Sequence, residues 1–198
     1  MMMDGNSAWM LVMGYALGSI PFGVLISAAF GLGNLRKIGS GNIGATNVLR
    51  TGNKLAAFLT LLLDGGKGAV AVLLAARFAP DIPMAAHLAA AGAFVGHCYP
   101  IWLRLKGGKG VATFLGILLA LDVMVGLAAC SIWLIVAFAL RISSLSALVA
   151  AAAAPVLLWI MGQPALIPAG LAALVFWRHR SNITRLIAGT EPKIGQKT

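Results

Sequence analysis

A chain of 198 residues in which 60 % are hydrophobic, only 10 % carry charge and the formal net charge is +10 does not describe a soluble globular domain. It describes an integral membrane protein, with room for about five to seven spanning helices at about 20 residues each and none left for a soluble domain. Residues 1–198 are therefore read as one membrane-embedded domain. The surplus of Lys and Arg falls between apolar blocks, where the preference of basic residues for cytoplasmic loops accounts for it without nucleic acid as a partner.

The start, Met1-Met2-Met3-Asp4-Gly5-Asn6, has no basic segment before the apolar block, so a retained span is expected rather than a cleaved signal peptide. Ser7 to Phe30 is apolar apart from Ser19 and Ser27, enough for one crossing, with Pro21 expected to kink it. Gly31 to Lys54 then carries Arg36, Lys37, Arg50 and Lys54 without an acid. That places the N-terminus outside and this loop in the cytoplasm.

Within the loop stands Gly39-Ser40-Gly41-Asn42-Ile43-Gly44-Ala45-Thr46-Asn47-Val48-Leu49-Arg50. Glycine tolerates the left-handed conformations by which a backbone turns several N–H groups towards one point. Ser40, Asn42, Thr46 and Asn47 add side-chain donors, and Arg50 adds a fork matched to phosphate or carboxylate. The run reads as an oxyanion cradle, with a flexible basic loop as the plainer alternative.

Leu55 to Ala79 is apolar but interrupted by Asp64-Gly65-Gly66-Lys67-Gly68, where the carboxylate and the ammonium are near enough to pair on a helix. Charges inside a span are costly and mark either a functional place or a lock between helices. Asp64 and Lys67 are assigned a supporting place at the site, with a purely structural ion pair as the alternative. Pro80-Asp81-Ile82-Pro83 makes a short outer turn.

Met84 to Leu103 returns through Gly96-His97-Cys98-Tyr99-Pro100-Ile101-Trp102 to the second donor-rich run, Lys106-Gly107-Gly108-Lys109-Gly110. Two ammonium groups in a backbone stripped of Cβ atoms again fit an anion. His87 is expected to be a polar residue near the outer end, Trp102 an interfacial one. His97, close to the glycine-lysine loop, is read as bracing it rather than as a catalytic base. Cys98 and Cys130 lie in apolar surroundings without metal-type neighbours, so both are read as small core residues, and neither a metal nor another cofactor is expected.

From Val111 to Trp177 the chain is apolar again, and the tail beyond it holds Arg178, Arg180, Arg185, Lys193 and Lys197 against Glu191 alone. A cytoplasmic tail requires an even number of crossings after the glycine-lysine loop. Four fit, ending near Asp122, Arg141, Gln163 and Arg178. The expected fold is all-α and polytopic, about seven transmembrane helices with the one before Asp122 short or half-inserted, the N-terminus outside and the C-terminus cytoplasmic. The short helix would turn its N-terminal dipole to the anion site. Ala147 to Ala154 suits close helix approach, and Trp9, Trp159 and Trp177 suit the interfacial belts.

The last donor-rich run is Trp177-Arg178-His179-Arg180-Ser181-Asn182-Ile183-Thr184-Arg185-Leu186, with His179 and Asn182 on one expected helix face. Three cytoplasmic elements thus offer donors and positive charge. There is no GxSxG elbow, no HExxH pair and no Walker lysine followed by Ser or Thr. The residues five after His87, His97 and His179 are Gly92, Trp102 and Thr184, so the His-four-Asp spacing of other membrane acyltransferases is absent as well.

The runs Gly18-Ser19-Ile20-Pro21-Phe22-Gly23, Gly39 through Asn47, Gly96-His97 through Pro100, Lys106 through Thr113 and His179-Arg180-Ser181-Asn182-Ile183 resemble the bacterial acyl-phosphate:glycerol-3-phosphate acyltransferases of the PlsY type over essentially the whole chain. The resemblance implies a seven-helix protein of the bacterial cytoplasmic membrane that transfers a fatty acyl group from acyl phosphate to the 1-hydroxyl of glycerol 3-phosphate. No covalent acyl-enzyme is expected, and the product would open phospholipid synthesis. It implies functional coupling to an acyl-phosphate-forming enzyme, with the active site at the cytoplasmic face.

By resemblance Ser40, Arg50, Lys109, His179 and Asn182 serve glycerol 3-phosphate and the reacting centre. Lys106, Asn42, Thr46, Asn47 and the backbone of Gly39, Gly41, Gly44, Gly107, Gly108 and Gly110 are assigned to holding the substrates, with Asp64, Lys67 and His97 in support. The proton of the attacking hydroxyl is assigned to the departing phosphate, ahead of His179 or His97, because no His-carboxylate pair is evident in the sequence. A transporter or channel for a phosphate-bearing anion, with the glycine-rich runs re-entrant, is the competing reading.

Overall fold

The computed structural model describes residues 5–196 except 83. Met1-Met2-Met3-Asp4 at the start, Pro83 of the expected outer turn and Lys197 of the basic tail lie outside the described residues. All regular structure among the described residues is helical: α1 (Gly5–Gly18), α2 (Phe22–Ala29), α3 (Ala45–Leu49), α4 (Lys54–Phe78), α5 (Ala85–Cys98), α6 (Val111–Leu121), α7 (Val123–Leu140), α8 (Ser143–Ile160), α9 (Leu166–Arg178) and α10 (Arg180–Ile187). Among the described residues four stretches are long and apolar enough to cross a membrane: Ser7–Ala29, which covers most of α1 and all of α2, then Lys54–Phe78, Val123–Leu140 and Ser143–Ile160. α6 and α9 are apolar but shorter.

The first stretch breaks ahead of Pro21, where the ring removes a helical N–H and crowds the preceding turn. α4 starts on Asn53, whose side chain accepts from the Ala56 amide at 2.9 Å, and runs 25 residues, about 37 Å at 1.5 Å per residue. Between α6 and α7 there is a single residue, Asp122, whose carboxylate accepts from the amides of Met124 at 2.9 Å and Val125 at 3.0 Å. The acid expected only as an outer charge thus caps a helix and allows the sharp reversal.

Small residues decide which helices meet. α1 packs chiefly on α5, and Gly14 and Gly18 sit so near the Ala89 and Ala93 backbone that a Cβ would collide with those carbonyls. The contact is reciprocal, since Gly92 and Gly96 of α5 meet the Leu11 and Tyr15 backbone of α1 in the same way. Gly116 of α6 lies equally close to Gly65 of α4. In lipid, where apolar side chains gain little by leaving their solvent, such close backbone approach supplies the dispersion contact that holds helices together.

The main core is built from Ala, Val, Leu and Phe of α4 to α9, with Phe94 and Phe114 edge to face at 6.3 Å. Large apolar side chains also point outwards: Phe138 is 92 % exposed, Leu166 85 % and Trp159 75 %. An outer surface of that composition is one solvated by lipid. A second, smaller core of Ile26, Leu35, Ile43, Val48, Ala56 and Ala57 joins α2, α3 and the start of α4. It fixes the donor-rich loop to the helices.

Candidate active site

In the run 39–50 polar and apolar residues alternate in use: Ile43 and Val48 go into the small core while Ser40 and Asn42 remain at the surface side of it. Gly39 and Gly41 have φ of +49° and +67°, the left-handed region that favours glycine. Gly23 of α2 provides the notch beneath, for a Cβ there would strike the Ile43 carbonyl.

Asn47 closes the cradle from within. It is 1 % exposed, and its Oδ1 accepts from the Ser40 amide at 3.1 Å, the Ser40 hydroxyl at 3.4 Å and Arg50 Nη1 at 3.4 Å. Its Nδ2 donates to the carbonyls of Leu35 at 3.0 Å and Asn42 at 2.7 Å. Both ends of the amide are occupied by the loop itself, so Asn47 organises Ser40, Asn42 and Arg50. Arg50 lies across Gly39, leaving no room for a Cβ.

The glycine-lysine loop is clamped on two sides. The amides of Gly107 and Gly108 donate to the carbonyls of Cys98 and His97, each at 3.1 Å. Arg178, stacked over Tyr99 at 5.0 Å, donates to the carbonyls of Gly108 at 3.0 Å and Gly107 at 3.1 Å. Arg36 donates to the Lys106 carbonyl. Gly110, with φ +84°, passes under the Phe94 ring and starts α6 directly after Lys109.

The third element is the joint between α9 and α10. His179 is buried there with Nδ1 2.8 Å from the Val175 carbonyl, an acceptor only, so Nδ1 carries a proton. Burial pushes its pKa down to about 4, and the charges of Lys109 and Arg178 act in the same direction. Asn182 accepts from the Lys109 ammonium. Burial pushes Lys109 down to about 8; Glu191 opposes this, and Arg185, Arg178 and Arg50 add to it.

Ser40, Gly41, Asn42, Lys106, Gly107 and Lys109 come together with Arg36, Leu105, Arg178, Arg180 and Ser181 around one cavity of about 340 Å³. Arg50 and His179 stand within electrostatic reach of Lys109. Thr46 faces another way, its hydroxyl 3.1 Å from that of Ser143 at the start of α8.

Asp64, Lys67 and His97 are buried behind the loop. Lys67 Nζ donates to Asp64 Oδ1 and to the Ile20 carbonyl at the α1–α2 break, both at 2.7 Å, while the Thr113 hydroxyl donates to the Asp64 carbonyl at 2.9 Å. His97 Nδ1 is 3.6 Å from Asp64 Oδ1, and the other edge of the ring occupies the space a Gly108 side chain would need. The pair therefore ties helices together and stands behind the residue on which the glycine loop rests.

Arg36, Leu105, Arg178, Arg180 and Ser181 line the cavity without belonging to the expected set of site residues, and Glu191 and Ser144 meet behind Asn182 without belonging to it either. Glu191 accepts from Asn182 at 2.5 Å, Arg185 at 2.7 Å and Ser144 at 2.7 Å. Burial alone would raise the carboxyl pKa, yet these hydrogen bonds and the Arg185 charge hold it below its ordinary range. Ser144 brings the start of α8 to the same carboxylate. The only signal for Glu191 in the sequence is its being the single acid of a basic tail; a Ser-Ser pair carries none.

A family model described as glycerol-3-phosphate acyltransferase matches residues 8–189. Among similar proteins, the glycerol-3-phosphate acyltransferase of Roseobacter denitrificans is 63 % identical over 94 % of this chain and 93 % of its own length. That of Ruegeria pomeroyi is 65 % identical over 94 % and 92 %. Crystal structures of PlsY (YgiH), an integral membrane glycerol 3-phosphate acyltransferase, superpose over 96 % of both chains, the glycerol 3-phosphate form with a TM-score of 0.91 at 36 % identity. The lysophosphatidic acid form gives 0.87 at 34 %. With matches of that extent, and with its helical bundle in a lipid-facing apolar coat, this chain belongs to the glycerol-3-phosphate acyltransferase family of integral membrane proteins.

Proposed function

We propose that this protein transfers a fatty acyl group from acyl phosphate to the 1-hydroxyl of glycerol 3-phosphate, releasing 1-acylglycerol 3-phosphate and inorganic phosphate without an acyl-enzyme. What carries this is the meeting of Ser40, Lys106, Lys109 and Arg178 at one cavity, with Arg50 in electrostatic reach and no activated nucleophile among the described residues lining it. Acyl phosphate is a mixed anhydride with a good leaving group. The enzyme's task is then to hold two phosphates and aim one hydroxyl, and proximity of that kind is worth up to about 7–11 kcal/mol.

Arg50 and Lys109 neutralise phosphate charge, and Ser40 and Asn182 orient glycerol 3-phosphate. Lys106 and Asn42 take the acyl phosphate. The loop glycines contribute shape more than donors, since the amides of Gly41, Gly107 and Gly108 are taken by the Ile38, Cys98 and His97 carbonyls. The hydroxyl oxygen attacks the acyl carbon, the acyl carbon–phosphate oxygen bond breaks, and the proton passes to the departing phosphate. His179, held neutral and weakly basic with Nδ1–H on a carbonyl, serves better as an orienting group than as the base.

We further assign seven crossings: α1 with α2, α4, α5, α6, α7, α8 and α9. The N-terminus lies outside, and the site and tail lie on the cytoplasmic face of a bacterial cytoplasmic membrane, where the acyl-phosphate-forming partner can deliver its product. Purified protein given palmitoyl phosphate and glycerol 3-phosphate should form acylglycerol phosphate by mass spectrometry, and palmitoyl-CoA should not replace the donor. Equal rates with the thioester would remove acyl phosphate from the account. Passage of glycerol 3-phosphate into proteoliposomes without product would favour a transporter.

A further inference from the structure

After α10 the chain turns at Gly189, whose φ is +69°, and runs back along the site as a strap over residues 190–196. Its near end is held by the Thr190 amide on the Arg185 carbonyl at 2.8 Å and by the bonds to the Glu191 carboxylate. Among the described residues outside the strap, its far end hydrogen-bonds to Arg141. The Ile194 amide donates to the Arg141 carbonyl at 2.6 Å, and Arg141 Nη2 donates to the Ile194 carbonyl at 3.2 Å.

Arg141 closes α7 with φ +58°, two residues before α8 begins at Ser143. The α7–α8 joint therefore grips the strap twice: Arg141 holds Ile194 and Ser144 holds Glu191. Glu191 and Lys109 together fix which way round the Asn182 amide stands. The Glu191 carboxylate can only accept, so it takes Nδ2 and leaves Oδ1 facing the Lys109 ammonium. With the carboxylate withdrawn, the reversed amide would put N–H groups against an ammonium, or the site would lose the contact.

We propose that Arg141 is a positioning residue for acyl transfer: by clamping Ile194 it seats Glu191 against Asn182 and so keeps the Asn182 oxygen towards Lys109. This rests on the assignment of Lys109 and Asn182 to the active site. Arg141 itself does not line the substrate cavity, so its effect runs through the strap.

The test measures initial rates against glycerol 3-phosphate for purified Arg141→Ala, Arg141→Lys and Ile194→Pro, each alone and with Glu191→Gln. Proline removes the N–H that donates to Arg141. A chain ending after Pro192 serves as a further variant that keeps Glu191 but lacks the clamp. Each clamp lesion except Arg141→Lys should lower kcat/KM for glycerol 3-phosphate about three- to tenfold, the loss of one hydrogen bond in the point variants and of two in the shortened chain. The thermal midpoint should stay unchanged, Lys at 141 should restore most of the rate, and the lesions should add little once Glu191→Gln is present. Wild-type rates in Arg141→Ala and the shortened chain, or losses fully additive with Glu191→Gln, would overturn the clamp. Asn182→Ala measured alongside separates the two levels: full activity there sinks the site assignment, whereas its collapse beside unaffected clamp variants sinks the clamp alone.

Discussion

Lys109 donates to the side-chain oxygen of Asn182 across 73 residues of sequence. That bond joins the glycine-lysine loop to the α9–α10 joint, and it holds an ammonium that burial has already made easier to deprotonate.

Activity should therefore depend on pH through Lys109. The ammonium is fully charged below about pH 8 and is lost above it, because its pKa is pushed down from the ordinary 10.5 to about 8. kcat/KM should be flat on the acid side of that value and fall towards tenfold per pH unit above it. Glu191→Gln removes the charge that opposes the shift, so the falling limb should move to lower pH. His179, pushed down to about 4, is neutral across this range and should add no acidic limb above pH 5. A rate–pH profile at low glycerol 3-phosphate checks all three statements.

Asn182→Asp should be more damaging than its size indicates. It places a carboxylate 2.5 Å from where Glu191 now accepts, and like charges at that spacing cannot both stay ionised. We expect a loss of at least about a hundredfold in kcat/KM, comparable with removal of a preorganised donor, read from product formation at saturating acyl phosphate.

Two glycines of α4 should behave oppositely. A Cβ at Gly66 meets nothing within 4 Å, while one at Gly68 would stand 2.7 Å from the Thr113 carbonyl. Gly66→Ala should leave the thermal midpoint equal or higher, by up to the ~1 kcal/mol that alanine contributes to a helix. Gly68→Ala should lower it by prying α6 from α4. Gly108→Ala, directed at the His97 ring, should raise the KM for substrate by displacing Lys109.

Breaking the buried Asp64–Lys67 pair should be expensive in one way only. Lys67→Met leaves a buried carboxylate without its ammonium and should cost about 3–5 kcal/mol. Asp64→Leu combined with Lys67→Met should recover much of that in thermal unfolding, because neither charge is then left alone. A double variant no more stable than the single one would mean that the pair does more than lock the helices.

The helices were legible because lipid demands long apolar segments and Pro21, Asp122 and Arg141 interrupt them by simple chemistry; the outline 7–30, 55–79 and onwards agrees closely with α1–α2, α4 and their successors. The three donor-rich runs were legible as candidate anion sites from their residue types, and residues of all three line one cavity. What each donor faces was not. Asn47 looks like a ligand in the sequence, yet burial and five loop contacts make it the centre of the cradle. Gly107 and Gly108 look like donors, but α5 carbonyls take their amides. Glu191 and Ser144 meet only because the tail folds back, a long-range event that leaves no local pattern.

The measurement that bears most directly on the site is acylglycerol phosphate formation by Ser40→Ala, Arg50→Ala and Lys109→Ala, each purified and shown to keep the wild-type unfolding midpoint. The account predicts that each loses about a hundredfold or more, since each removes a donor or charge from one phosphate-holding cavity. Near-wild-type product formation in all three would contradict it.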